Sequence, residues 1–120
     1  MIATIAKRFT FDAAHHLPTV PADHKCHRMH GHTYEVELVF RGDIGANGFV
    51  VDYADIAEAW QPIHDALDHR VLNDVPGLEI PSTEILAAWI LDRLSIWNQL
   101  VRVRINESST TWCEMERSRG

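Results

Sequence analysis

His30-Gly31-His32-Thr33-Tyr34-Glu35-Val36-Glu37-Leu38-Val39-Phe40-Arg41 alternates with a period of two, the repeat of a pleated strand. Tyr34, Val36, Leu38 and Phe40 share a face with His30 and His32, whereas Glu35, Glu37 and Arg41 take the other. The apolar face therefore carries two imidazoles roughly 7 Å apart along the backbone, and a polar ring on such a face needs a partner. Gly31 between them leaves the opposite face clear. Residues 2 to 15 have the same period: Phe9, Phe11, Ala13 and His15 share one face, and His15 ends it. If the two strands pair, three imidazoles converge on one point. Three nitrogen ligands with one position open is the pattern of a catalytic zinc, as distinct from a closed four-ligand structural site. A lone histidine on such a face is more often satisfied by a backbone carbonyl. Three that converge by independent strand parity point to a metal, Zn2+, held by His15, His30 and His32.

Outward from these strands, Leu17 to Cys26 contains Pro18 and Pro21 and reads as a loop, and Asp43 to Gly48 reads as a turn. A helix begins near Asp52, a good N-cap, with Ile56, Ala59, Trp60, Ile63 and Leu67 at helical spacing and a kink expected at Pro62. Asn73 to Pro81 is a connection. A second helix starts at Ser82 or Thr83, with Glu84 favourable in its first turn and Ile85, Leu86, Trp89, Ile90 and Leu94 as its buried stripe. Residues 100 to 107 alternate again, Val101, Val103, Ile105 and Glu107 on one face, and a last strand spans about Thr111 to Met115. The order ββααββ predicts an α+β domain, a four-stranded antiparallel sheet with two helices on one face.

The chain has 120 residues and reads as one domain, 1–120. Its formal charge of −6, from 17 acidic and 11 basic side chains, argues against a nucleic-acid footprint. No apolar run approaches the ~18 residues of a membrane span, and no basic leader with an apolar core opens the chain, so a cytoplasmic location is expected. A small domain with exposed sheet edges gains from self-association, so a homo-oligomer is expected. Cys26 and Cys113 read as free thiols. Of the eight histidines, six lie between His15 and His32. His16 has the wrong parity and reads as structural or exposed, His24 and His27 as spare ligands or proton carriers, and His64 as surface.

Around the metal residues, Cys26 lies four positions before His30. A thiol beside imidazoles and a dication is a candidate base or nucleophile, and its alternative is a fourth ligand that closes the site. Asp68-His69 sets an acid beside an imidazole at a helix end, although adjacent residues do not ordinarily face each other. Glu107 ends an apolar strand face, where a carboxylate is costly unless paired, and it suits a ligand edge with two N–H donors. Lys25 and Arg28 flank the thiol.

Phe11-Asp12-Ala13-Ala14-His15, Cys26-His27-Arg28-Met29-His30-Gly31-His32, Leu67-Asp68-His69 and Asn106-Glu107, in that order, resemble the 6-pyruvoyltetrahydropterin synthase family over nearly the whole chain. Three residues between the cysteine and His-Gly-His resemble the bacterial branch, the 6-carboxy-tetrahydropterin synthases of queuosine biosynthesis; the animal-type enzymes usually have a longer gap. Pro81-Ser82-Thr83-Glu84 resembles the family segment that helps seat the pterin ring, which implicates Ser82 and Thr83. The resemblance implies a tunnelling fold (T-fold) assembled into oligomeric barrels, commonly a hexamer, with active sites between subunits. It implies 7,8-dihydroneopterin triphosphate as substrate, and 6-carboxy-tetrahydropterin, acetaldehyde and triphosphate as products. In that chemistry Cys26 moves the first proton, His69 oriented by Asp68 is a proton relay, Glu107 holds the pyrimidine edge, and Lys25 and Arg28 are the candidates for holding the triphosphate. The animal-type reaction is the neighbouring alternative. A non-catalytic zinc carrier is a further one, and it leaves Glu107 and Asp68-His69 without a role.

Overall fold

The computed structural model describes residues 1–118. Strands β1 (Ile2–His15) and β2 (His30–Asp43) form a long antiparallel ribbon with His15 opposite His30 and Ala13 opposite His32. The chain continues through α1 (Tyr53–Leu67), a two-residue strand β3 (Arg70–Val71), α2 (Thr83–Arg93), β4 (Leu100–Asn106) and β5 (Trp112–Glu116). The sheet order is β3-β1-β2-β4-β5. All pairings are antiparallel except β3, which runs parallel to Ala13–Ala14 of β1. The expected four strands are present, and β3 corrects the count to five. Two residues carry no alternation to read, and β3 exists only because the turn after α1 lays Arg70 and Val71 against the edge of β1.

Both helices cover the face set by the strand parity. Phe11, Ala13, Tyr34, Val36, Leu38, Val103 and Ile105 are buried against Ile56, Trp60, Ile63 and Leu67 of α1 and Leu86, Ala87 and Ile90 of α2. The Phe9 and Trp60 rings stack at 5.0 Å, and Phe11 and Tyr34 at 4.9 Å. Asp52 caps α1 by accepting the Ala54 N–H at 2.8 Å, and Ser82 caps α2 by accepting the Ile85 N–H at 3.2 Å. The helix α1 is assigned without a break across Pro62. Pro62 and Glu58, whose carbonyl loses its usual partner, both sit on the exposed side. On α2 the expected stripe shifts by a residue: Ala87 is buried, Trp89 half-buried, and Ile85 is 42% exposed. No helix among the described residues is long and apolar enough to cross a membrane.

Candidate metal centre and active site

The paired ends of β1 and β2 bring His15, His30 and His32 together, one nitrogen of each lying within 4.8 Å of the others. Among the described residues His15 is the one buried polar or charged side chain, and its Nδ1 lies 2.9 Å from the Pro81 carbonyl just before α2. His30 Nδ1 lies 2.7 Å from the Arg28 carbonyl. A carbonyl only accepts, so both Nδ1 atoms carry the proton and, in neutral rings, both Nε2 atoms carry a lone pair. Yet the two Nε2 atoms stand 3.0 Å apart. Two acceptors cannot bond each other, and a cation between them resolves the conflict. His32 Nε2 is buried with no partner among the described residues. Burial holds His15 and His32 below the ordinary imidazole value, which favours the neutral, ligating form. The separation is close to the ~3.3 Å expected between imidazole ligands of a tetrahedral zinc with Zn–N near 2.0–2.1 Å. The residues fit the group.

A cavity of about 510 Å³ beside the cluster is lined by Lys25, Cys26, His30, His32, Glu107, Ser108, Thr110 and Thr111. Cys26 is half-buried in a single 3₁₀ turn, Lys25–His27, whose N-cap is His24: its Nδ1 accepts the Cys26 N–H at 3.0 Å. The Cys26 carbonyl accepts the Leu17 N–H at 2.7 Å, tying the turn to the end of β1. His24 is therefore a cap for the thiol's turn rather than a ligand of the cluster. His27 is half-buried with its Nδ1 unpartnered among the described residues. His16 is held through its backbone by the Asn73 side chain, at 3.0 and 2.9 Å. His64 is half-buried, its side chain 32% exposed, near Asp65 and Asp68.

Glu107 sits one residue past β4, half-buried, with no ion-pair partner among the described residues. The nearby arginines are engaged elsewhere, Arg102 with Glu116 and Arg104 with Glu114, as their opposite parity requires. Ser108, Thr110 and Thr111, which sequence reasoning passed over, line the same cavity. The run of four polar residues after Glu107 was the available signal.

Asp68 and His69 do face each other. His69 Nδ1 lies 2.8 Å from Asp68 Oδ2, because His69 adopts a left-handed backbone at φ 58° and the turn folds its ring back onto the carboxylate. The Asp12 N–H, followed by the His69 bond, holds Asp68 below the usual carboxylate range, and Asp68 raises His69. His69 lines a different cavity, with Asp12, His32, Thr33 and Arg70, and Cys26 is not part of its lining. Ser82 and Thr83 do not line the Cys26 cavity either. Ser82 Oγ is committed to capping, Thr83 Oγ1 lies 2.8 Å from Glu84 Oε1, and Pro81 supports His15. Arg28 is exposed and contributes its carbonyl to His30, while Lys25 lines the Cys26 cavity.

The class is that of an α+β domain with a strand-borne triad of histidines placed to hold a metal ion, and one thiol and one carboxylate beside it. The family can be stated directly. Residues 4–118 match the 6-pyruvoyl tetrahydropterin synthase family, and the chain belongs to it. The chain is similar to the 6-carboxy-5,6,7,8-tetrahydropterin synthase of Synechocystis, 38% identical over 96 residues, 75% of this chain and 73% of the relative. It is similar to the Bacillus subtilis protein of the same name, 29% identical over 128 residues, 95% and 85% of the two chains. The fold matches the structure of Caenorhabditis elegans 6-pyruvoyl tetrahydropterin synthase with a TM-score of 0.90 at 26% identity, covering 98% and 97%.

Proposed function

We propose that this chain is a zinc-dependent 6-carboxy-5,6,7,8-tetrahydropterin synthase, a carbon–carbon lyase. It takes 7,8-dihydroneopterin triphosphate and water to 6-carboxy-tetrahydropterin, acetaldehyde and triphosphate, in queuosine biosynthesis in the cytoplasm. The observation that carries the reading is the opposed pair of His15 and His30 Nε2 atoms, 3.0 Å apart beside the Cys26–Glu107 cavity. The names of the bacterial relatives support the substrate class.

His15, His30 and His32 hold Zn2+, which when bound supplies a Lewis acid and a template for the substrate's side-chain hydroxyls. The pterin's pyrimidine edge offers two N–H donors to the Glu107 carboxylate, which fixes the ring in the cavity. Cys26 Sγ takes a proton from the substrate side chain and returns it at a neighbouring atom. Asp68 orients His69, which exchanges protons at the oxygen of the cleaving side chain. Lys25, with Arg28 at the rim, faces the triphosphate. Cys26 and His69 line separate cavities in one subunit, so the working unit is a homo-oligomer, a hexamer of subunits assembled into barrels in which neighbouring copies complete each site, Ser82 and Thr83 included.

The likeness to the nematode enzyme supports a second reading, elimination of triphosphate to 6-pyruvoyl-tetrahydropterin with the side chain intact. Mass spectrometry of products from 7,8-dihydroneopterin triphosphate separates the two. One acetaldehyde per 6-carboxy-tetrahydropterin supports the first reading, a pyruvoyl product without acetaldehyde supports the second, and an unaltered substrate refutes both.

A further inference from the structure

His69 is the one non-glycine residue with a positive φ among the described residues, and β1 holds it there. The Asp12 carbonyl accepts the His69 N–H at 2.6 Å, and the Asp12 N–H donates to Asp68 Oδ1 at 3.0 Å. One β1 residue thus grips both members of the pair through its backbone, so an uncommon conformation is over-determined by its surroundings. The Asp12 side chain is held as well, its Oδ1 accepting the Thr33 hydroxyl at 2.5 Å across the β1–β2 pair. Asp12, Thr33, His69 and Arg70 line one cavity of about 540 Å³.

We propose that Asp12, tethered by Thr33, is a positioning residue for His69: it fixes the His69–Asp68 pair through its backbone and presents a second carboxylate to the imidazole. The group is then a three-residue proton donor, two carboxylates serving one ring, with His69 Nε2 left to meet the substrate. Asp68 contributes the larger share of what raises His69, through its hydrogen bond and its charge, and Asp12 adds to it. The other titratable groups facing the pair are Arg70 of β3 and His32 of β2, which share the cavity, and His64 of α1, 3.8 Å from Asp68 Oδ2. Both carboxylates favour the imidazolium, the form that can give a proton up. The kinetic part of this inference rests on the proposed relay role of His69; the electrostatic part does not.

Histidine-selective NMR titration of the full-length assembled protein tests it. Asp12→Asn keeps the size and both backbone bonds and removes the charge. The His69 midpoint is expected to fall by on the order of half a pH unit, the effect of one solvent-screened charge nearby. In kinetics, the high-pH limb of kcat moves down with it while KM stays within about twofold, whereas a purely structural role would shift neither pH profile. Thr33→Val keeps the charge and cuts the tether, and a smaller fall in the same direction is expected. An unchanged His69 midpoint in Asp12→Asn overturns the proposal. Should that variant not fold, an unchanged midpoint in Thr33→Val does so instead. Wild-type turnover in His69→Ala would remove the relay role while leaving the NMR result standing, so the two readings fail separately.

Discussion

His15 is 2% exposed and turns its Nδ1–H to the Pro81 carbonyl, whereas the His69 side chain is 78% exposed and turns Nδ1 to the Asp68 carboxylate. Burial holds the first ring below the ordinary imidazole value, and the Asp68 hydrogen bond and charge hold the second above it. A neutral ring with its lone pair fixed in one direction suits a metal, while a ring whose charged form is favoured suits a proton donor. The residue type is the same in both places, and the partner on Nδ1 together with solvent access divides the labour.

Breaking the buried side of this contrast gives the largest effect. His30→Ala leaves two ligands, and zinc affinity should fall by well over the roughly 10- to 100-fold that follows loss of an outer hydrogen-bond partner. Metal analysis after dialysis checks this, and full occupancy would end the site assignment. Next in size, Cys26→Ala should retain its zinc and lose turnover by roughly 10²- to 10⁴-fold, the range for removing a general acid–base group. Loss of zinc from that variant would make Cys26 a ligand and close the site.

Glu107→Gln keeps the shape of the side chain but replaces one acceptor with a donor against the pterin edge. Pterin affinity should drop by about 10- to 100-fold, the worth of a charged hydrogen bond, with zinc content unchanged. Wild-type affinity measured by calorimetry would leave Glu107 without its anchoring role.

The exposed side of the contrast gives the smallest effect, a pH dependence of stability. A raised His69 contributes stability that is fully present below its unfolded value near ~6.5 and is lost as pH rises through its folded value. A lowered Asp68 contributes stability present above its unfolded value near ~3.9 and lost as pH falls through its folded value. The pair is therefore worth most between about pH 4 and 6.5, and little in absolute terms because both groups are open to solvent. The melting temperature of His69→Ala should lie a degree or two or less below wild type at pH 6 and converge with it by pH 9. A difference that stays constant with pH would mean the pair is not coupled in the folded state.

The same contrast explains what could be read from the chain. Strand parity put His15, His30 and His32 on the face of Phe11 and Tyr34, and the paired register joins His15 to His30 as that parity requires. The caps at Asp52 and Ser82 were equally legible, because a short polar side chain before an apolar-periodic run has a local cause. The Asp68–His69 contact was not, since it depends on a left-handed residue whose support comes from Asp12, 57 positions away from His69. β3 follows from that same turn. Ile85 was misread for a related reason: helical spacing admits two neighbouring stripes on α2, and only packing against the sheet selects the one with Ala87. Ser108, Thr110 and Thr111 entered the site because the β4–β5 turn returns beside the metal cluster, a consequence of sheet order rather than of local pattern.

X-ray absorption at the zinc edge of the purified wild-type protein tests the central claim most directly, that three imidazoles hold the metal and Cys26 stands apart. The account predicts one zinc per chain with a shell of light atoms only, N and O near ~2.0–2.1 Å. A sulfur scatterer near ~2.3 Å that disappears in Cys26→Ala would contradict it.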